Sequence, residues 1–283
     1  SIPFNFLDTT KIVSREPIEI VESPHCVFGK KRKADVINFK KALLYRENIG
    51  SFSIENGKII KFYRAYKDIP DDRIAKSIIN AIFGFCVYQK NKLVLHSSAI
   101  EIDGDAILFV GLSGSGKSSL SASFSNFSQK YNFICEDVAL LERKRNFFYI
   151  PKGLPFVKLT KEIASHLDLD NNRKLDLVND RLDRSMYLIR NTKYEHSRVR
   201  SIYFLDWADN FDICKLDSKE IFTRLLLSTF SAVPINSCEE SSRSFMKNAS
   251  DISSHIPCFR INRRKDSLFK DNVKIAKHFK RTF

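Results

Sequence analysis

The segment Gly111-Leu-Ser-Gly-Ser-Gly116-Lys117-Ser118 constrains this chain more than any other feature. It fits G-x-x-x-x-G-K-[ST] at every defined position. An apolar run, Asp105 to Val110, precedes it, and an amphipathic stretch, Lys117 to about Phe127, follows it. That strand–loop–helix setting is the one the motif demands. Glycines let backbone N–H groups close around phosphate oxygens where a Cβ would collide, and a helix starting at Lys117 aims its positive end at the anion. Gly111, Ser113, Gly114, Ser115, Gly116, Lys117, Ser118 and Ser119 are therefore expected to bind the phosphates of ATP. Lys117, placed in an exposed loop, would reach the β- and γ-phosphates. The Ser118 hydroxyl would ligate Mg2+, a hard ion that prefers oxygen.

Two flanking features give the loop a setting. Leu93 to Ile102 reads as a strand, Asp103-Gly104 as a type I′ turn, and Asp105 to Val110 as the return strand. In a two-residue hairpin Ile102 faces Asp105, so paired numbers sum to 207 and His96 falls across from Gly111. After the helix, Asn132 to Cys135 reads as a short strand that ends in two acids, Glu136 and Asp137. A carboxylate at the end of such a strand reaches the magnesium in P-loop proteins. A second acid could accept the proton of an attacking hydroxyl. Neighbouring strand residues point to opposite faces, so both acids serve one site only through a turn or bulge.

The rest of the chain reads as mixed α and β. Asn56-Gly57, between Phe52–Ile54 and Ile59–Phe62, is a two-residue hairpin signal. Pro70, Asp71 and Asp72 open a helix with Ile74, Ile78, Ile79, Ile82, Phe83 and Phe85 on its apolar face. Pro151, Gly153 and Pro155 mark a loop, and residues 168–184, dense in charge, read as an exposed or mobile segment. A strand is expected in Arg200–Trp207, a helix over Ser218–Phe230, a short strand over Ile256–Ile261 and a terminal helix over Asp271–Phe279.

Composition narrows the function classes. The 283 residues suit a core domain with a smaller companion, and no run of roughly 18 apolar residues is present, so no membrane span is expected. SIPFNFLDTT lacks a basic region followed by an apolar stretch, which predicts no secretion signal. Six scattered cysteines without a CxxC pair point to reduced thiols in a cytoplasmic protein rather than a disulfide framework or zinc site. The net charge of +14 favours anionic ligands. Its basic residues are spread out, with only short clusters such as Lys30–Lys33 and Arg263–Lys265, and no nucleic-acid motif accompanies them.

LHSSAIEIDGDAILFVGLSGSGKSSL followed by CEDVALL resembles the kinase core of the HPr kinase/phosphorylase family, most of all the HPr-kinase-like tailoring kinases found with lasso peptides. FSIENGKII, the helix before the core and GLPFVKL extend the likeness. The resemblance implies an α/β fold: a phosphoenolpyruvate-carboxykinase-like P-loop core over 93–283, with a smaller mixed α/β N-terminal region over 1–92. It also implies ATP-dependent phosphoryl transfer to a serine hydroxyl. His96 matches the family's active-site histidine, Asp137 its magnesium-binding aspartate and Glu136 its catalytic acid, which is often Asp there. The long C-terminal signature of the true HPr enzymes, with its extra metal-binding Glu, is not recognisable.

The expected activity is a kinase in which Lys117, Glu136 and His96 are catalytic and Ser118 and Asp137 hold the metal. Its expected partner is a peptide or small protein with a serine hydroxyl. A small-molecule kinase acting, for instance, on free serine is the near alternative, and an NTPase acting on nucleic acid is the rival from another class. A homo-oligomer is left open.

Overall fold

The computed structural model describes residues 18–25, 36–37, 40–90, 93–169, 174–175, 184–228 and 239–282. The Lys30–Lys33 cluster and most of the charged segment after residue 169 lie outside them. Two compact units emerge, one from Ser1–Val94 with Thr229–Asn248, the other from Leu95–Ser228 with Ala249–Phe283.

In the first unit, strands β1 (Glu19–Glu22), β2 (Val36–Ile37), β3 (Lys41–Arg46), β4 (Gly50–Glu55) and β5 (Ile59–Arg64) form a sheet in the order β1-β5-β4-β3-β2. β1 runs parallel to β5, and the other pairs are antiparallel. The β4–β5 hairpin departs from the expected two-residue turn. Glu55 faces Ile59, so Asn56, Gly57 and Lys58 make a three-residue loop. Asn56 and Gly57 still take left-handed backbone, φ 54° and 66°. The Gly57 N–H donates to Gln89 Oε1 at 2.7 Å, so the turn serves the neighbouring helix as well as the hairpin. That helix is α1 (Asp71–Ser77) continued through a wider π turn, Ile78–Ile82, into α2 (Phe83–Gln89). Ile74, Ile78, Ile82 and Phe85 are buried as the spacing predicts, while Ile79 and Phe83 are only partly covered.

β6 (Leu93–Leu95) spans the boundary between the units. In the second unit, β7 (Ser97–Ile102) and β8 (Asp105–Val110) form the expected hairpin, with Ile102 facing Asp105 and Ser97 facing Val110, but the strand expected over Leu93–Ile102 is broken by a bend at His96, and β6 pairs with β10 instead of continuing the hairpin. Asp103 and Gly104 have φ of 51° and 91°, the two positive values that a type I′ turn needs. The loop of Gly111–Gly116 leads into α3 (Lys117–Phe127). Then come β9 (Tyr131–Cys135), β10 (Ala139–Lys144), β11 (Phe147–Pro151), β12 (Phe156–Thr160), α4 (Lys161–His166), β13 (Lys174–Leu175), β14 (Arg184–Leu188), β15 (His196–Trp207), β16 (Asp212–Lys215), α5 (Ser218–Leu227), α6 (Glu239–His255, reaching across the boundary), β17 (Cys258–Arg263) and α7 (Leu268–Thr282).

The main sheet runs β10-β11-β15-β8-β7-β9, with β17 parallel to β15 and β16 antiparallel to β17. β8 and β15 are parallel neighbours at its centre. A smaller antiparallel sheet, β12-β14-β13, stands apart from it. Its Val157, Leu159 and Tyr187 join Phe133 and Ala122 in one core cluster. α3 and α7 close a second cluster with Phe109, Tyr203 and Ile261. Among the described residues no helix is long and apolar enough to cross a membrane.

The rings of that second cluster hold α3 and α7 on the central strands. Phe279 lies 4.9 Å from Tyr203, 5.2 Å from Phe124 and 6.1 Å from Phe109, centroid to centroid. Phe279→Ala is expected to destabilise the protein by about 3–5 kcal/mol, as for other buried aromatic truncations. Urea unfolding measures this, and a loss below about 1 kcal/mol would show that the cluster is not the core of this unit.

Candidate phosphate-binding site

The central strand β8 ends at Val110, wholly buried, and delivers the chain to the glycine-rich loop at the edge of the sheet. Gly114 and Gly116 take left-handed φ values of 82° and 78°. No side chain caps the N-terminus of α3, so the orphan N–H groups of its first turn meet the loop. The loop tip at Leu112, Ser113 and Gly114 is exposed, while Ser115 is buried.

Lys117 departs from its expected exposed position. It is 6% exposed, and its Nζ donates to the carbonyls of Gly111 at 2.8 Å and Leu112 at 3.0 Å. The side chain folds back under the loop, where two carbonyl oxygens replace water around the ammonium. Burial lowers its pKa to about 8. Ser119 is also buried, and its hydroxyl donates to the Gly116 carbonyl at 2.9 Å.

The acid pair reaches this loop through a turn. Asp137 has φ 64°, and the Val138 N–H donates to the Glu136 carbonyl at 2.7 Å. This i to i+2 bond around a left-handed residue is a γ-turn. It ends the β9 run and lets both carboxylates face the end of β8. Glu136 accepts a hydrogen bond from the Ser118 hydroxyl and, at 2.7 Å, from the Lys158 N–H. Asp137 forms an ion pair with the Lys158 ammonium. Burial raises the Glu136 carboxyl above its ordinary range. Burial would raise Asp137 too, but the Lys158 ammonium beside it holds it below its usual range.

His96 sits one residue beyond the last β7–β8 pair, at the level of Gly111 that the register predicts. Its N–H donates to the Ser228 carbonyl at 2.9 Å, and its Nδ1 lies 3.1 Å from the Asp137 carbonyl. A carbonyl only accepts, so Nδ1 carries the proton in that bond and Nε2 keeps a lone pair. Burial, reinforced by the Lys117 charge, lowers the His96 pKa and keeps the ring neutral at pH 7.

The geometry thus brings together Gly111–Ser119, His96, Glu136 and Asp137, all residues that the sequence singles out. It adds three that the sequence does not: Lys158, Trp207 and Arg263. Lys158 lies on β12, at a half-buried position of FVKLT. Trp207 Nε1 donates to the Gly114 carbonyl at 3.2 Å. Arg263, read from sequence as part of a basic cluster, is instead wholly buried and donates to the Ser115 carbonyl. Burial lowers its guanidinium to about 10, where it stays charged at neutral pH.

Among the described residues no group of three or more His, Cys, Asp and Glu side chains is placed to hold a metal ion by itself. The Ser118 hydroxyl, the Glu136 carboxylate it donates to and the Asp137 carboxylate next to Glu136 in the chain are nevertheless all oxygen donors. They fit a hard cation of the kind that takes one or two carboxylates and completes its shell with phosphate and water.

No family profile and no curated protein matches the chain. Among solved structures it is similar to the HPr(Ser) kinase/phosphatase from Coxiella burnetii, at 14% identity over 67% of this chain and 97% of that one, with a TM-score of 0.34. A likeness of that size marks a distant structural relationship and carries no argument about activity.

Lys158 is the counter-ion that keeps Asp137 ionised. Lys158→Met is expected to move the Asp137 carboxyl to a higher pKa, because burial then loses its strongest opposing charge. A carbon-detected NMR titration of the side-chain carboxyls reads the shift. An Asp137 titration identical to wild type would show that the ion pair does not set it.

Proposed function

We propose that this chain is an ATP- and magnesium-dependent kinase that transfers the γ-phosphoryl group to a hydroxyl, with serine of a peptide or small protein as the acceptor. We also read the second unit as a P-loop core of the phosphoenolpyruvate-carboxykinase type. The observation that carries the proposal is the Glu136 carboxylate held on the Ser118 hydroxyl at the start of the phosphate-loop helix, with a second carboxylate, Asp137, next to it in the same turn. A loop that only binds and releases a nucleotide has no need of a base for an acceptor alcohol.

In this reading the backbone N–H groups of Gly111–Ser119 receive the phosphates, and Lys117 leaves its two carbonyls to neutralise the β- and γ-oxygens. Ser118 and Asp137 would hold the magnesium, which neutralises charge on the β- and γ-phosphates when bound. Glu136 takes the proton of the attacking hydroxyl. Lys158 keeps Asp137 ionised through their ion pair. His96 steadies the acid turn through the Asp137 carbonyl, with Nε2 left as the ring's lone-pair nitrogen. The +14 charge speeds the capture of anionic ligands, ATP and an acidic acceptor among them.

Glu136→Gln keeps the shape of the side chain but cannot accept the proton; its amide oxygen can still accept from the Lys158 N–H, and its NH2 then donates to Ser118 Oγ. Single-turnover transfer is expected to fall roughly 10²–10⁴-fold, the usual worth of a general base, while calorimetric affinity for ATP–Mg stays near wild type. Asp137→Asn is expected to lose magnesium dependence and nucleotide affinity together. If Glu136→Gln loses the metal and Asp137→Asn keeps it, the two roles are exchanged. If neither variant changes transfer, or if ATP consumption responds to RNA or DNA while no acceptor is phosphorylated, the kinase reading fails.

A further inference from the structure

Beneath the phosphate loop lies a buried charge that neither the loop motif nor the acid pair explains. Arg263, the last residue of β17, is 0% exposed. Its Nη2 donates to the Ser115 carbonyl, and its Nη1 donates to Asn272 Oδ1 at 3.2 Å. Asn272, on α7 and wholly buried, passes the contact on to Ser123 Oγ of α3 at 3.1 Å. The Trp207 ring lies 4.9 Å from the guanidinium carbon. The Trp207 indole N–H meanwhile donates to the Gly114 carbonyl at 3.2 Å. Two consecutive loop carbonyls, those of Gly114 and Ser115, are therefore held by one packed pair, Trp207 and Arg263.

Peptide geometry gives that grip a direction. A trans peptide is planar, and its C=O and N–H point opposite ways. The Ser115 carbonyl and the Gly116 N–H belong to one such plane. Because the Ser115 carbonyl points at Arg263, inside the protein, the Gly116 N–H points away from Arg263. Its neighbour is oriented differently: the Ser115 N–H turns back to the Leu112 carbonyl at 3.1 Å, which closes the loop. The second glycine of the motif follows from the same contact. A Cβ on Gly116 would stand 2.8 Å from Arg263 Nη2, and the residue has φ 78°. Close approach of the guanidinium and left-handed backbone both call for glycine there.

We propose that Arg263 is a positioning residue of the phosphate loop: by holding the Ser115 carbonyl inward it turns the Gly116 N–H toward the phosphates of a bound nucleoside triphosphate, while Trp207 fixes the adjoining Gly114 carbonyl. The inference rests on the nucleotide reading of this loop made above. Arg263 touches no phosphate itself. It acts through the backbone, and its buried positive charge adds to the field that an anion meets at the N-terminus of α3.

Arg263→Lys and Trp207→Phe, each in the full chain, test this. The protein has one tryptophan, so the emission of Trp207 reports events at Gly114 without a label. On addition of ATP–Mg the wild-type emission is expected to change in parallel with calorimetric binding. Arg263→Lys shortens the fork to a single ammonium and is expected to weaken ATP–Mg binding about tenfold or more, the cost of losing an oriented charged hydrogen bond. The KM for ATP should rise accordingly, with kcat at saturating ATP changing less. A purely structural arginine would instead lower the melting temperature and leave the affinity of the folded protein alone. Arg263→Lys that binds ATP–Mg with wild-type affinity overturns the proposal. Should that variant fail to fold, Trp207→Phe decides, because it keeps a ring over the guanidinium and removes only the N–H donor. The expected outcome is affinity weakened about threefold at a near-wild-type melting temperature, and unchanged affinity overturns the proposal. A wild-type protein that does not bind ATP–Mg at all sinks the nucleotide reading, which is a different result from either variant binding normally.

Discussion

Successive residues of a strand face opposite sides of a sheet, and the left-handed backbone of Asp137 is where this molecule escapes that rule. With φ 64° and the Val138 N–H turned back to the Glu136 carbonyl, the chain reverses locally instead of continuing β9. Both carboxylates then stand beside the end of β8. Glu136 reaches Ser118 of the loop, and Asp137 takes the Lys158 ammonium from β12. His96 closes the arrangement through the Asp137 carbonyl. A non-glycine residue in this region of backbone is uncommon and is sustained by surrounding contacts. Here those contacts come from three separate elements, so the turn depends on the second unit being folded.

Buried charge is the second constraint. Lys117 and Arg263 are both nearly or wholly covered. Among the described residues neither forms an ion pair with a carboxylate. Both are solvated by carbonyl oxygens: Lys117 by Gly111 and Leu112, Arg263 by Ser115. Carboxylates act on both charges, Asp137 and Glu136 on Lys117 and Asp271 on Arg263, but the direct hydrogen-bond partners at the loop are backbone carbonyls. The arrangement stabilises the loop less than a neutral core would and favours an anion that binds there.

The parts of this structure legible in the sequence are those decided by neighbours in the chain. The β7–β8 register followed from one turn, because Asp103-Gly104 admits only a tight hairpin and each later pair is then fixed. The loop and α3 followed from the glycines and the helix start, and the need for a turn at Glu136-Asp137 followed from strand alternation. The Asn56-Gly57 turn was placed correctly but carries one residue more, since the Gly57 N–H is drawn to Gln89 from 32 positions away. α6 was not legible: a Ser-rich 17-residue stretch has little helix preference of its own, and it is anchored by a few apolar residues such as Ala249 and Ile252. The sheet β12-β14-β13 was hidden by the loop signals of Pro151, Gly153 and Pro155 and by the charge density after residue 168. Lys158, Trp207 and Arg263 could not be assigned to the site from sequence because tertiary packing alone brings them there. Arg263 even sat in a short basic cluster, Arg263–Lys265.

The account stands on one spatial claim, that phosphates bind inside the Gly111–Ser118 loop with a metal between them and the acid pair. A crystal structure with magnesium and a non-hydrolysable ATP analogue tests it most directly. The β- and γ-phosphates are expected within the loop, with Lys117 Nζ moved off the Gly111 and Leu112 carbonyls to a phosphate oxygen. The metal is expected at about 2.0–2.1 Å from Ser118 Oγ, with a carboxylate oxygen of the acid pair in its coordination sphere or bound through one water. Nucleotide bound elsewhere, or phosphates in the loop with the metal distant from both Glu136 and Asp137, would contradict the account.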